Sequence, residues 1–218
     1  MQIGFDLDGF LYDSLEISRD VMNEIRKEMD YDPVTVADFR AQFQSRDWVA
    51  LHLAWGMRKE DVGQYEDLYN ARHNGDELPD FIEGGSNLLH AAVDAVGLDR
   101  FWIITNEPAI NVRKRFVRDG LLAYVSRVLN PYADKSDTFH DLAMRQPDVP
   151  FRYVGDTISD GQAILAARER GAANLEFYGI THSYAWNTAE AMSAFCDEHA
   201  FAHTVGTLAE VPIMWNGH

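Results

Sequence analysis

The sequence has a single cysteine and no long apolar run. Cys196 stands alone among 218 residues, so no disulfide can form within the chain. No apolar stretch approaches the ~20 residues that a helix needs to cross a bilayer. The first residues also lack the basic segment and the long apolar segment of a secretion signal. We therefore expect a cytoplasmic protein.

Positive charge is also scarce, with 19 Lys and Arg residues against 35 Asp and Glu and a formal net charge of −16. Binding to a nucleic acid needs clustered cations that neutralise its phosphates, and the sequence has no such cluster. A small anionic substrate is still possible, because salt screens the field of the protein beyond about 8 Å. We expect a small-molecule partner, no nucleic acid and no membrane, and a monomer or a homodimer.

The apolar pattern changes near residue 80. Residues 14–74 follow only the helical period of 3.6, with breaks at Pro33 and Gly56. Farther along, apolar strands alternate with helices, which indicates a parallel sheet covered on both faces. The strands predicted there are 101–104, 124–129, 151–154, 175–180 and 202–205, and the helices are 84–96, 108–119, 134–145, 158–170 and 186–199.

These patterns predict an α/β fold with a doubly wound parallel sheet. Residues 1–13 and 80–218 would form the core domain, and residues 14–79 a small all-helical domain inserted after the first strand. Ligands of such folds bind beyond the carboxyl ends of the strands. The polar residues that follow predicted strands are Asp6, Asp8, Thr105, Asn106, Asp156 and Asp160. The helical insert would cover this site, because both of its attachment points lie at the same rim.

Two aspartates, Asp6 and Asp8, end the first apolar strand and precede Gly9. Side chains alternate along a strand, so the two carboxylates share one side, and glycine lets the chain turn without a Cβ clash. Two carboxylates so close repel each other unless a cation lies between them, and oxygen ligands suit Mg²⁺. Alone, this pattern is more typical of an acidic corner between a strand and a loop than of a catalytic site.

Three further motifs accompany this one, each at a strand end or a helix start. The four are the Asp-x-Asp-Gly segment 6–14, the strand 102–106 that ends in Thr-Asn, Lys135 ahead of a helix, and the Gly-Asp segment 155–160. In this order they resemble the haloacid dehalogenase superfamily of phosphohydrolases, over nearly the whole chain. The helical insert resembles the capped branch that includes phosphoglycolate phosphatases and β-phosphoglucomutases. The resemblance implies a Rossmann-like core and a cap.

The resemblance also implies the catalytic roles of the first two aspartates. Asp6 would attack phosphorus and form an aspartyl phosphate, which splits one difficult displacement into two easier steps. Asp8 would protonate the leaving oxygen and then deprotonate the water that hydrolyses the intermediate. Dehalogenating and phosphonate-cleaving relatives lack an aspartate at this second position, so those two reactions are not expected here.

The remaining motif residues would bind metal and phosphate. By the same resemblance, Mg²⁺ would be held by the Asp6 carboxylate, the backbone carbonyl of Asp8 and Asp156. Non-bridging phosphate oxygens would contact Thr105 and Lys135. We also expect Asn106 to contact the substrate. Asp160 would orient the water shell of the metal or Lys135.

The position after Gly9 departs from the family pattern, which has a threonine whose hydroxyl helps to orient the acid/base aspartate. Phe10 offers no such hydrogen bond. Three outcomes are open: a neighbour supplies the bond, turnover is slow, or Phe10 forms an apolar wall for the substrate. We favour the wall.

Substrate selection is expected to lie with the cap, which would close over the site and contact the leaving group. Arg46 is the cap residue that we expect to bind substrate. The other candidates are Arg19, Trp48, His52, Arg72, His73 and Asn74.

The expected activity is Mg²⁺-dependent hydrolysis of a small phosphorylated metabolite through an aspartyl-phosphate intermediate. Two other activities of the superfamily stay open, a sugar phosphomutase and a nucleotide 5′-phosphatase. A catalytically weak member that binds a phosphorylated ligand is a further alternative, motivated by Phe10.

Overall fold

A parallel sheet of six strands forms the centre of the molecule. The computed structural model describes residues 1–42, 48–73, 78–131 and 134–216. The strands of the described residues are β1 Gln2–Phe5, β2 Tyr12–Asp13, β3 Asp80–Phe81, β4 Phe101–Ile104, β5 Val128–Leu129, β6 Phe151–Gly155, β7 Leu175–Ile180 and β8 Ala202–Val205. Six of them form the central sheet in the order β5-β4-β1-β6-β7-β8, in which every neighbouring pair is parallel, while β2 and β3 form a separate pair. The predicted α/β fold with a doubly wound parallel sheet is confirmed.

Helices cover both faces of this sheet. The helices in the described residues are α1 Leu15–Glu28, α2 Val36–Gln42, α3 Trp48–Ala54, α4 Lys59–His73, α5 Gly85–Val96, α6 Ala109–Arg118, α7 Ser136–Arg145, α8 Ile158–Glu169, α9 Ala189–Glu198 and α10 Val211–Asn216. Across these described segments, no helix combines the length and the apolar character that a membrane crossing requires.

Strand alternation divides the core into two apolar layers. Ile3 and Phe5 face the layer formed with α5, α6 and α10, whereas the rings of Phe151 and Tyr153 lie in the layer formed with α7, α8 and α9. Gly4 points towards this second layer, and a Cβ on it would lie 2.9 Å from ring atoms of both aromatics. The glycine in β1 is therefore required by the close packing of the neighbouring strand.

The helical segment α1–α4 has an apolar cluster of its own. Buried Arg26 of α1 connects its parts, because the guanidinium donates hydrogen bonds of 2.7 Å to the carbonyls of Asp32 and Trp55. The chain leaves and re-enters the core side by side, since β2 and β3 pair antiparallel at these two points. The domain boundaries at residues 14 and 79 stay a prediction.

Several element ends were predicted well, and one strand was not. Strands 101–104, 175–180 and 202–205 are confirmed, but most of the predicted strand 124–129 is a 3-10 helix over Leu122–Arg127. The buried residues Leu121 and Tyr124 lie three positions apart, which is the period of a 3-10 helix and not of a strand.

The predicted helix 186–199 begins only at Ala189. The side chain of Thr188 accepts a hydrogen bond from the Ala191 N–H and caps the helix there. The residues just before it, Trp186 among them, form a loop that reaches the site described next. The pair β2–β3 and the helix α10 were not predicted.

Candidate active site

Three buried polar residues meet where β1, β4 and β6 end. Asp6, Thr105 and Asp156 directly follow these neighbouring strands, and they are 5%, 1% and 0% exposed. All three line a cavity of about 600 Å³ between the sheet edge and the helical segment α1–α4. Because the strands are parallel, their carboxyl ends bring together residues that lie up to about 150 positions apart in the sequence, as the motif positions predicted.

Lys135 lies behind Asp6 and is almost completely buried, with 1% exposure. Its Nζ lies 3.0 Å from Asp6 Oδ1 and 2.8 Å from Asp160 Oδ1, and it donates a hydrogen bond of 2.9 Å to the Tyr153 hydroxyl. A buried ammonium is stable only when it is paired in this way. Lys135 does not itself line the cavity. Its positive charge therefore acts on the Asp6 carboxylate from behind.

Asp156 is a buried carboxylate with little compensation for its charge. Its Oδ2 accepts a hydrogen bond of 2.7 Å from the Trp186 N–H, while its Oδ1 is buried without a hydrogen-bond partner among the described residues. Burial, and then the charge of Asp6, raise the pKa of Asp156 well above its usual range. A buried oxygen of this kind points to a cation that is bound during function.

Gly9 makes room for this carboxylate. It has a φ of +70°, and a Cβ at this position would lie 2.0 Å from Asp156 Oδ2 and 2.5 Å from the Trp186 ring. Any larger residue would therefore displace Asp156 as well as strain the turn.

The residues present fit an oxygen-binding divalent cation. Asp6, Asp156 and Asp160 each offer an oxygen atom, and these atoms all lie within 4.8 Å of one another. Asp160 is already engaged, because Lys135 contacts its Oδ1 and the Thr157 hydroxyl donates to its Oδ2 at 2.8 Å. Asp6 and Asp156 are therefore the two carboxylates suited to hold the ion.

Asp8 is held by an arginine that the sequence analysis missed. Arg115 of α6 donates from Nη1 to Asp8 Oδ1 at 2.7 Å and from Nη2 to Glu107 Oε1 at 3.0 Å. The Arg115 side chain is 2% exposed. Burial opposes its charge, but Asp8 and Glu107 outweigh burial and raise the pKa of Arg115. The available signal was the spacing Val112, Arg115, Phe116, which puts the arginine on the buried face of α6.

Phe10 corrects one expectation. Its ring is fully buried in the core, 5.1 Å from the ring of Phe5 in an edge-to-face arrangement, and it does not line the cavity. The turn at Gly9 directs the side chain inward, so Phe10 packs the sheet and is not an apolar wall for the substrate. A neighbour does supply a hydrogen bond to Asp8, because Arg115 donates to it.

The other predicted substrate contacts divide into three groups. Asn106, Trp48 and His52 line the cavity. Arg19 and Arg72 do not line it, and they pair with Asp20 and Glu28. Positions 43–47 and 74–77 are outside the described residues, which leaves the expectations for Arg46 and Asn74 as predictions, and that for the His73 side chain as well. The cavity residues that were missed include Phe39, Tyr65, Tyr69, Glu107 and Trp186.

Sequence comparison does not identify relatives, because no protein-family model and no curated protein matches this chain. Solved structures do match. A haloacid dehalogenase-like family protein from Streptococcus pneumoniae has a TM-score of 0.71 at 17% identity, over 98% of this chain and 97% of the other. A predicted phosphoglycolate phosphatase from Haemophilus somnus has a TM-score of 0.71 at 18% identity, over 98% and 96%.

A haloacid dehalogenase (HAD) family hydrolase from Deinococcus radiodurans, solved with bound phosphate and sodium, has a TM-score of 0.64 at 19% identity, over 96% of this chain and 92% of the other. The chain has the haloacid dehalogenase fold. The predicted resemblance is thus confirmed for the fold, over nearly the whole length. In this fold, the polar residues at the ends of β1, β4 and β6 are the candidates for chemistry.

Proposed function

We propose that this chain is a Mg²⁺-dependent phosphatase that hydrolyses a small phosphate monoester through an aspartyl phosphate. The observation that carries the proposal is the buried pair Asp6 and Asp156, with Lys135 at 3.0 Å from the first carboxylate and an orphaned oxygen on the second. Buried carboxylates with so little compensation for their charge are too costly to serve only packing. They are well suited to a reaction that brings a cation and a phosphate to the same place.

Asp6 would be the nucleophile. Its Oδ1 accepts a hydrogen bond of 2.8 Å from the Leu7 N–H and lies 3.0 Å from Lys135 Nζ, so Oδ2 is the oxygen that would attack phosphorus. These two contacts orient the carboxylate and limit its freedom, which is the main contribution of a fixed nucleophile. Bound Mg²⁺ would reduce the repulsion between the Asp6 carboxylate and the phosphate dianion.

Asp8 would be the general acid and then the general base. Arg115 fixes one oxygen of its carboxylate at 2.7 Å, and Glu107 fixes the other arm of the same guanidinium. Asp8 lines the cavity and its side chain is 21% exposed, so it can reach a leaving oxygen. Arg115 would therefore do the positioning for which the family pattern uses a threonine.

Thr105 would bind the transferring group. Its hydroxyl oxygen accepts a hydrogen bond of 3.0 Å from the Glu107 N–H, so the hydroxyl hydrogen can point into the cavity and donate to a phosphoryl oxygen. Lys135 would support the nucleophile from behind, and its contact with Asp160 would keep it there.

The test compares phosphate release from 4-nitrophenyl phosphate by the parent protein and by Asp6→Asn, each with Mg²⁺ and with EDTA. We expect release by the parent with Mg²⁺ and a loss of at least about a thousandfold in the variant, because no acyl phosphate can form. Asp20→Asn is the matched control, since that side chain is 63% exposed. Equal rates for the parent and Asp6→Asn would overturn the proposal and favour a binding protein.

A further inference from the structure

The cavity is lined by an aromatic wall as well as by carboxylates. The wall consists of Phe39 from α2, Trp48 and His52 from α3, Tyr65 from α4, and Trp186 from the loop before α9. We call these five side chains the aromatic wall. A phosphoryl group occupies only a small part of about 600 Å³, so most of the space is available to the leaving group.

The wall is continuous from the helical segment to the metal site. The Phe39 ring lies 5.5 Å from the Trp186 ring and 6.4 Å from the Trp48 ring. Trp186 in turn donates its backbone N–H to Asp156. A planar group attached to a phosphate at Asp6 would therefore meet ring surfaces next to the reaction centre.

His52 adds a polar atom to this apolar surface. It is 2% exposed, its ring lies 4.1 Å from the Tyr65 ring, and its Nδ1 has no hydrogen-bond partner among the described residues. Burial, followed by the charge of Arg26, lowers the pKa of His52 to about 4. The imidazole is therefore neutral near pH 7, and it suits an uncharged partner that accepts or donates one hydrogen bond.

The charges around the cavity disfavour an anionic leaving group. Among the Asp, Glu, Lys and Arg side chains in the described part of the chain, those that line it are all acidic: Asp6, Asp8, Glu66, Glu107 and Asp156. No described Lys or Arg lines the cavity. Lys135 and Arg115 are paired with carboxylates, and Arg26, whose charge acts on His52, donates to backbone carbonyls. A leaving group with a carboxylate would thus find repulsion and no described partner.

We propose that the leaving group of the substrate carries an uncharged heteroaromatic ring, of the nucleobase type, which stacks on the aromatic wall and hydrogen-bonds to His52. Trp48 and Trp186 are only half-buried, so their rings still have surface for stacking. This inference rests on the proposed function, because the phosphate is taken to lie at Asp6. It selects the nucleotide phosphatase among the alternatives that the sequence left open.

The test measures binding and turnover separately. Calorimetric titrations use the Asp8→Asn variant with Mg²⁺, because this change slows turnover and keeps both metal-site carboxylates. The probes are adenosine 5′-monophosphate and uridine 5′-monophosphate, with ribose 5-phosphate as the same ester without a ring and 2-phosphoglycolate as the anionic comparison. We expect at least one nucleotide to bind tenfold or more tighter than ribose 5-phosphate, since base stacking on an aromatic side chain contributes about this much or more.

Two substitutions locate the effect in the Asp8→Asn background. Trp48→Leu removes a stacking ring, and His52→Phe keeps an aromatic ring but removes both ring nitrogens. Each should weaken nucleotide binding severalfold and leave ribose 5-phosphate binding unchanged. Val49→Ala is the control, because Val49 lies on the same helix and is 39% exposed.

The outcomes are distinct. Nucleotide binding no tighter than that of ribose 5-phosphate, or a preference for 2-phosphoglycolate, overturns the inference, while phosphate release by the parent still supports the phosphatase. If no probe binds and the parent releases no phosphate, both proposals fail. Tighter nucleotide binding that Trp48→Leu and His52→Phe leave intact overturns the assignment to the aromatic wall.

Discussion

Asp156 is the residue at which burial and charge conflict most directly, so its replacement gives the sharpest prediction. Its carboxylate is 0% exposed and belongs to a cluster in which the oxygens lie within 4.8 Å of one another. Without a cation, the folded protein must either hold this charge next to Asp6 or bind a proton there. Asp156→Asn removes the charge but keeps an oxygen that can accept the Trp186 N–H.

The magnitude follows from Coulomb's law. Two unit charges at 4.8 Å repel by about 3.5 kcal/mol at an effective dielectric constant of ~20. The side-chain N–H groups of the introduced asparagine lack hydrogen-bond partners at this buried position, which costs about 1–3 kcal/mol. We therefore expect metal-free Asp156→Asn to be more stable than the parent by about 0.5–2.5 kcal/mol. For a chain of this size that is a rise in Tm of roughly 1–10 °C.

The gain should depend on pH, and its sign is fixed by the pKa of Asp156. Because that pKa is raised in the folded state, its proton stabilises the fold fully below the ordinary value of 3.8. This contribution is lost as the pH rises from there through the raised value. The stability difference between variant and parent should accordingly be small in acid and grow towards pH 8.

Thermal unfolding followed by circular dichroism tests these expectations, first in EDTA from pH 5 to 8.5 and then with added Mg²⁺. Mg²⁺ at a hundred times its Kd should stabilise the parent by about 2.7 kcal/mol and the variant much less. Asp141→Asn, at a side chain that is 73% exposed, is the control. The reasoning is refuted if metal-free Asp156→Asn is less stable than the parent at pH 8, or if Mg²⁺ stabilises both proteins equally.

Three further predictions concern neighbouring residues. Arg115→Met should lower kcat for 4-nitrophenyl phosphate about 10- to 100-fold with little change in KM, because Asp8 loses its orienting hydrogen bond. Arg115→Lys should retain more activity, and equal kinetics for the parent and Arg115→Met would contradict this role. Lys135→Met should reduce the free energy of unfolding in urea by about 3–5 kcal/mol, since it leaves two buried carboxylates without their cation; a loss below about 1 kcal/mol would show that the pairing is unimportant. Gly9→Ala should weaken Mg²⁺ binding, measured by calorimetry, at least tenfold, because the new Cβ would lie 2.0 Å from Asp156 Oδ2. Gly63→Ala, whose Cβ would meet nothing within 4 Å, should leave Mg²⁺ binding unchanged. Tight Mg²⁺ binding by Gly9→Ala would refute the argument.

The sequence was sufficient for the sheet and for the position of the carboxylates. Short apolar strands separated by helices restrict the topology, and parallel strands place their carboxyl ends at one edge. Once 101–104 and 151–155 are strands beside β1, Thr105 and Asp156 must approach Asp6, whatever the intervening helices do. This part of the site follows from local patterns combined with one rule of chain geometry.

The contacts between side chains from distant elements could not be predicted in this way. Asp8 and Arg115 are separated by 107 positions, and nothing local to either residue specifies the other. Phe10 illustrates the same limit, because only the turn around Gly9 decides whether its ring faces the cavity or the core. The aromatic wall depends on a contact between the rings of Phe39 and Trp186, which no helical or strand period predicts.

These distant contacts also join the acid/base residue to the attachment of the helical segment. Tyr12 in β2 packs edge-to-face on Phe81 in β3, with the ring centroids 4.7 Å apart, and so holds the two attachment strands together. The same ring lies 5.3 Å from the guanidinium of Arg115, and its hydroxyl donates a hydrogen bond of 2.7 Å to Asp119 at the end of α6. Since Arg115 in turn holds Asp8, a shift of the attachment strands relative to α6 changes the packing on which the orientation of Asp8 depends. The attachment strands of α1–α4 and the proposed acid/base carboxylate are therefore linked by one connected set of contacts.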